Sequence, residues 1–124
     1  MRFHALIRTH HITSRKKVAA LKRAADAHQC LVFLRSGGCP GIMYVEGDKM
    51  QVESWVGVVR KLRYKDFQLV TRPGPLLPEG DEHRVQDLMD SESGLSEVES
   101  VKEFGELMAK RRVWNWWRKG MGYA

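Results

Sequence analysis

The stretch CLVFLRSGGCPGIMYVEG, residues 30–47, decides how the rest of the chain reads. Two short runs rich in aliphatic and aromatic side chains, CLVFLR and GIMYVEG, flank SGGCPG. Glycine supplies the positive φ angles that a chain reversal needs, so the unit reads as a β-hairpin with a loop of several residues. The glycines do not make a phosphate-binding loop. That motif opens a helix and carries a lysine, whereas SGGCPG joins two strands and has none.

Outward from the hairpin, a helical pattern lies on either side. Upstream, Ser14 is placed to cap a helix over 14–29, with Val18, Leu21, Ala25 and His28 in one stripe and Arg15, Lys16, Lys22 and Arg23 largely off it. Downstream, Asp48 with Gln51 three residues later has the form of a capping box. It opens a helix over 48–63 whose stripe is Val52, Trp55, Val56, Val59 and Leu62. Beyond the helices, FHALIRTHHI at 3–12 alternates with a period of two, and YKDFQLVTR at 64–72 reads as a strand stopped by Pro73, Gly74 and Pro75. The order β-α-β-β-α-β predicts an α+β, ferredoxin-like split sandwich, with a four-stranded antiparallel sheet and both helices on one face. Residues 73–99 hold three prolines, many acids and serines, and predict an acidic flexible loop. A C-terminal helix over 100–120 starts at a Ser100–Glu103 capping box and runs through Phe104, Leu107, Met108, Trp114 and Trp117 to Gly120 as its C′ residue. In this reading residues 1–124 are a single ferredoxin-like domain, and its second sheet face is either open or covered by the last helix.

Composition bounds the function classes. At 43% hydrophobic and 29% charged residues the chain reads as a soluble globular protein, and its apolar runs are too short to span a membrane. Arg8 interrupts the opening MRFHALIR, which therefore lacks the continuous apolar region expected of a signal peptide. Cys30 and Cys39 match neither a zinc spacing nor a disulfide framework, so they read as free thiols of a nuclear or cytoplasmic protein. The net charge of +6 is unevenly spread. Residues 1–72 carry fourteen Lys/Arg against five Asp/Glu, residues 73–108 two against ten, and residues 109–124 five against none. The pattern is a basic body interrupted by an acidic insert.

Chemistry-bearing motifs are few. His10 and His11 are neighbours on an expected strand, so they point to opposite faces and do not share a metal ion. Cys39 and a histidine could form a nucleophile pair, but Cys39 sits in a turn and no orienting acid is apparent. Acylphosphatases share the topology, yet their glycine-rich, arginine-bearing loop after the first strand is here HHITSRKK. The chain reads as non-catalytic, with no cofactor and no metal. Trp114 and Trp117 share the Phe104 and Leu107 face and are expected in the core, leaving Trp116 as the exposed aromatic.

The stretches HHI at 10–12, GIMYVEG at 41–47 and the W…RKL helix at 55–62, with a closing tryptophan-bearing helix, resemble the C-terminal domain of pre-mRNA-processing factor 3, a small nuclear ribonucleoprotein splicing factor. The same domain follows the RWD domain in RWD-domain-containing proteins. The resemblance implies a ferredoxin-like fold and binding of small nuclear RNA, including a single-stranded segment. Beside it, the basic surplus predicts that Arg8, Lys16, Lys17 and Arg35 meet phosphates while His10, Tyr44 and Trp116 stack on bases. The alternative is a protein-interaction module of the RWD-linked type that binds no RNA.

Overall fold

A computed structural model of the chain describes residues 1–80 and 93–123. Among these the elements run β1 (Phe3–Thr9), α1 (Arg15–Ala27), β2 (Leu31–Arg35), β3 (Gly41–Gly47), α2 (Lys49–Lys61), β4 (Gln68–Pro75), β5 (Gly94–Val98), α3 (Val101–Lys110) and α4 (Trp114–Met121). They make an α+β, ferredoxin-like fold on a five-stranded sheet in the order β4-β1-β3-β2-β5. The first four strands pair antiparallel, and the hairpin runs in register from Leu31 opposite Glu46 to Arg35 opposite Ile42. The fifth strand lies parallel to β2.

Alternation along the strands sorts two cores. Ala5, Ile7, Val32, Leu34, Met43 and Val45 face α1 and α2, where Val18, Leu21, Val52, Trp55 and Val59 close over them. The Trp55 indole N–H reaches across to the Leu21 carbonyl at 3.2 Å, fixing the two helices to each other. Leu6, Leu31, Phe33, Ile42 and Tyr44 face the other way, against Phe104, Met108, Val113, Trp117 and Met121 of the C-terminal helices. With both faces covered, every residue of β3 is buried. A strand buried on both sides is selected for apolar side chains throughout, which is why the hairpin shows as runs rather than as alternation.

Several local expectations are corrected. Pro73–Pro75 do not stop β4 but belong to it. β4 is an edge strand, whose outer side needs no ladder hydrogen bonds, so proline is tolerated there. The acidic loop expected over 73–99 contains a strand, β5, whose Glu97 accepts two bonds from the Arg15 guanidinium at 3.0 and 2.7 Å and one from Ser36 Oγ at 2.9 Å. Residues 81–92 of that predicted loop lie outside the described residues. The helix expected over 100–120 is two helices. Arg112 adopts a left-handed φ of 61°, and Val113 N–H and Arg112 N–H bond back to the Met108 and Ala109 carbonyls, a Schellman closure made without glycine. The left-handed glycine at the end of α4 is Gly122, not Gly120. Ser14 and Ser100 cap their helices as expected, bonding Lys17 N–H and Glu103 N–H. The Asp48 side chain caps nothing, and the Gln51 amide oxygen instead meets His28 Nδ1 at 2.9 Å. Among the described residues no helix is long and apolar enough to cross a membrane.

Candidate functional site

At the end of the sheet where β1 stops, a cavity of about 420 Å³ opens between three segments: Arg8, Thr9 and His10, then Cys39 and Pro40 of the hairpin loop, then Asp66, Phe67 and Gln68. Backbone bonds hold the segments together. His10 N–H donates to the Lys65 carbonyl at 2.9 Å, and Gly41 N–H to the His10 carbonyl at 3.2 Å. Gly41 is needed for this approach, because a Cβ there would stand 2.3 Å from Thr9 Oγ1 and 2.7 Å from Ile12 Cγ1. Asp66 takes a left-handed φ of 55°, a conformation aspartate tolerates better than most residues, and so turns its carboxylate toward His10.

The groups on the cavity wall are polar and close to one another. His10 Nδ1 lies 3.6 Å from Asp66 Oδ2 and 3.9 Å from Cys39 Sγ, with the His10 and Asp66 side chains 40% and 67% exposed. Thiol and carboxylate meet the same ring nitrogen, so this is not a relay in which the acid orients one nitrogen and the other takes a proton. The Arg8 guanidinium has no ion pair among the described residues. Thr9 is 2% exposed, and its hydroxyl has no hydrogen-bond partner among them. Among the described residues no group of three His, Cys, Asp or Glu side chains is placed to hold a metal ion. His10 and His11 do not diverge as expected. β1 ends at Thr9, strand alternation ends with it, and the two rings lie 4.7 Å apart.

The seven residues singled out from the sequence are not brought to one surface. Arg8 and His10 share the cavity. Lys16 is exposed at the start of α1, and Lys17 rests its ammonium over the Tyr64 ring at 4.8 Å. Arg35 is tied into the hairpin end, donating to the Glu99 carbonyl at 2.8 Å and the Pro40 carbonyl at 3.0 Å. Tyr44 is fully buried, so its ring offers no face for a base to stack on. Trp116 is half-buried and stacks on His4 with centroids 3.8 Å apart, while Trp114, expected in the core, is 38% exposed.

Tyr44 and Trp116 belong to a second feature, a buried polar network between the sheet and α4. Glu46, fully buried, accepts from Arg111 Nε at 2.9 Å and from Arg111 Nη2, and from Arg2 Nη2 at 3.3 Å. The Tyr44 hydroxyl donates to Glu46 Oε2 at 2.8 Å. Its one hydrogen is thereby used, so His4 Nδ1, 3.0 Å from the same oxygen, donates to it. Burial pushes the Tyr44 hydroxyl well above its ordinary range, with the Glu46 charge adding to the effect. Burial also drops His4 to about 4, against the opposing pull of Glu46. A neutral His4 that donates from Nδ1 satisfies both constraints.

Along the sequence Cys39 has a histidine to pair with but no evident acid; Asp66 comes beside them only when the turn before β4 is folded. Thr9 and Gln68 carry no sequence signal, since a hydroxyl and an amide at a strand end are ordinary.

No known family is matched by the sequence, and no curated protein matches it. Solved structures do match. The BLUF domain of BlrP1 superposes with a TM-score of 0.55 at 13% identity, covering 92% of this chain and 78% of that one. BlsA in a photo-activated state gives 0.54 at 13% identity, covering 89% and 78%. At this identity the likeness establishes the fold alone. These matches overturn the resemblance to the pre-mRNA-processing factor 3 domain, because both structures are BLUF photoreceptor domains and neither is a splicing-factor domain. The RNA-binding function, the splicing terms and the RWD-linked interaction alternative fall with it. The structure adds a physical reason: the sheet face expected to meet RNA is covered by α3 and α4.

A photoreceptor needs a light-absorbing group, an extended π system that takes a slot of several hundred Å³. Between α1, α2 and the sheet the space is taken by Leu21, Val52, Trp55 and Ile7, all fully buried, and the Trp55–Leu21 bond closes the gap. The opposite face is filled by Tyr44, Phe104 and Met108. These residues do not fit such a group between helices and sheet.

Proposed function

We propose that the chain is a light-independent, non-catalytic ligand-binding domain on the BLUF frame, taking a small zwitterionic molecule of the amino-acid type at the strand-end cavity. One observation carries this reading. Arg8 and Asp66, of opposite charge, line the same cavity without pairing with each other. An α-carboxylate meets the guanidinium fork, which suits bidentate recognition, and an ammonium meets the Asp66 carboxylate. His10 and Gln68 supply further polar contacts on the walls. The filled core supports the light-independent part of the reading.

The test is a titration of the full chain with glutamate and alanine, followed by backbone amide NMR shifts, with acetate and methylammonium as half-molecule controls. The amides of Thr9, His10, Gly41 and Gln68 move with the amino acids and far less with either control. Arg8→Ala and Asp66→Asn each weaken binding about tenfold, the loss of one charge-assisted hydrogen bond. Amides that stay still at saturating amino acid overturn the ligand reading. An absorption band in the visible range in freshly purified protein overturns light independence.

A further inference from the structure

We infer that Cys39 is a thiol–disulfide exchange site, and that the ligand class of the strand-end cavity is the disulfide of a small zwitterionic thiol. The inference rests on the ligand-binding reading above and names what the ligand does there. Four observations converge. Cys39 is a free, exposed thiol whose Sγ lies 3.9 Å from His10 Nδ1. That nitrogen also faces Asp66 Oδ2 at 3.6 Å, so thiol, imidazole and carboxylate meet at one point of the cavity wall. The cavity beside the sulfur is walled by Arg8, which has no ion pair among the described residues and takes a ligand carboxylate. Thr9, 2% exposed, borders the cavity, and its buried hydroxyl has no hydrogen-bond partner among the described residues.

The step balances without any further oxidant. Cys39 passes its proton to His10 Nδ1, and the thiolate attacks one sulfur of the bound disulfide. The ligand S–S bond breaks as the Cys39–S–S bond forms. The departing thiolate takes the proton back from His10 and leaves as a thiol. Cys39 is oxidised, the released half is reduced, and the retained half stays held by Arg8. The second cysteine cannot resolve the adduct, since Cys30 is buried under β3, where a Cβ on Gly47 would stand 3.3 Å from its sulfur. The mixed disulfide therefore persists until a second thiol arrives, which makes the site a reversible mark of the thiol–disulfide balance around it.

The experiment uses the reduced full chain with glutathione disulfide, compared with 2-hydroxyethyl disulfide, which has the same S–S bond and no charges. Intact-mass spectrometry shows one adduct, peptide mapping places it on Cys39 and not Cys30, and dithiothreitol removes it. Arg8→Ala slows the reaction with glutathione disulfide at least about fivefold more than the reaction with the uncharged disulfide, because only the former offers a carboxylate to the guanidinium. His10→Asn slows both. An adduct that forms equally fast in wild type and Arg8→Ala is that of an ordinary exposed thiol and overturns the inference, as does the absence of any adduct. The amino-acid titration repeated on Cys39→Ser separates the two readings. Retained amide shifts with no adduct in wild type leave the cavity as a binding site and remove the exchange chemistry; lost shifts together with an Arg8-independent adduct remove both.

Discussion

His4 is the residue whose chemistry the fold alters most legibly. It is held neutral between Tyr44 and Trp116, with its pKa lowered from 6.5 to about 4 mainly by burial. The folded value lies below the unfolded one, so the unfolded chain takes up a proton that the native state resists. The contribution is fully present above about pH 6.5 and is lost as pH falls from there toward 4. Between pH 7.5 and 4.5 the loss through this one group is about 2–3 kcal/mol. Urea denaturation at the two pH values shows this loss in the wild type and a correspondingly smaller one in His4→Gln. Equal losses in the two proteins would refute the assignment. The Glu97 carboxylate, held low chiefly by its bond from Arg15, adds an acid-side loss of its own that both proteins share. Nothing in the sequence around His4 announces this behaviour. His4 is read there only as one polar position in an alternating strand, and Glu46 and Arg111, which complete its surroundings, come from β3 and the end of α3.

At the scale of elements, capping shows where a local pattern suffices and where it does not. Ser100 and Asp48 each have a Glu or Gln three residues on, and both read as capping boxes. In the structure Ser100 Oγ accepts from Glu103 N–H at 3.0 Å and donates to Glu103 Oε1 at 3.0 Å, whereas the Asp48 side chain makes no cap bond. Ser100→Ala is expected to cost about 1 kcal/mol in chemical denaturation, and Asp48→Ala only a few tenths. Comparable losses for the two would mean that Asp48 caps α2 in solution after all. The reciprocal half of the box is missing as well, because the Gln51 side chain is drawn to His28 just after α1, a partner that no window along the sequence contains. α4 repeats the lesson. Its first turn has no side-chain cap of its own, and the Glu79 carboxylate accepts from Asn115 N–H and Trp116 N–H, each at 3.0 Å.

At the scale of the molecule the described residues form three layers, with α1 and α2 on one sheet face and α3 and α4 on the other, and the closeness of the third layer is testable. Gly120 sits in α4 where a Cβ would stand 2.9 Å from both Leu6 Cδ2 and Thr71 Oγ1. Gly→Ala inside a helix ordinarily stabilises by about 1 kcal/mol. Here Gly120→Ala is expected to destabilise by about 1–2 kcal/mol, because a fully buried Leu6 and a β-branched Thr71 have little room to yield. A rise in melting temperature would show that α4 rides further from the sheet. The sequence by itself determined the order and type of the elements over residues 1–72 and the apolar stripes of α1 and α2, since these follow from spacing within one turn of helix or two residues of strand. Only the tertiary structure decided that Gly94–Val98 joins the sheet as a parallel edge, that the second face is covered, and that Cys39 and Asp66 arrive beside His10. Those outcomes depend on pairing between segments far apart in the chain. Local periodicity carries no record of which distant backbone or side chain will satisfy a hydrogen bond or fill a face.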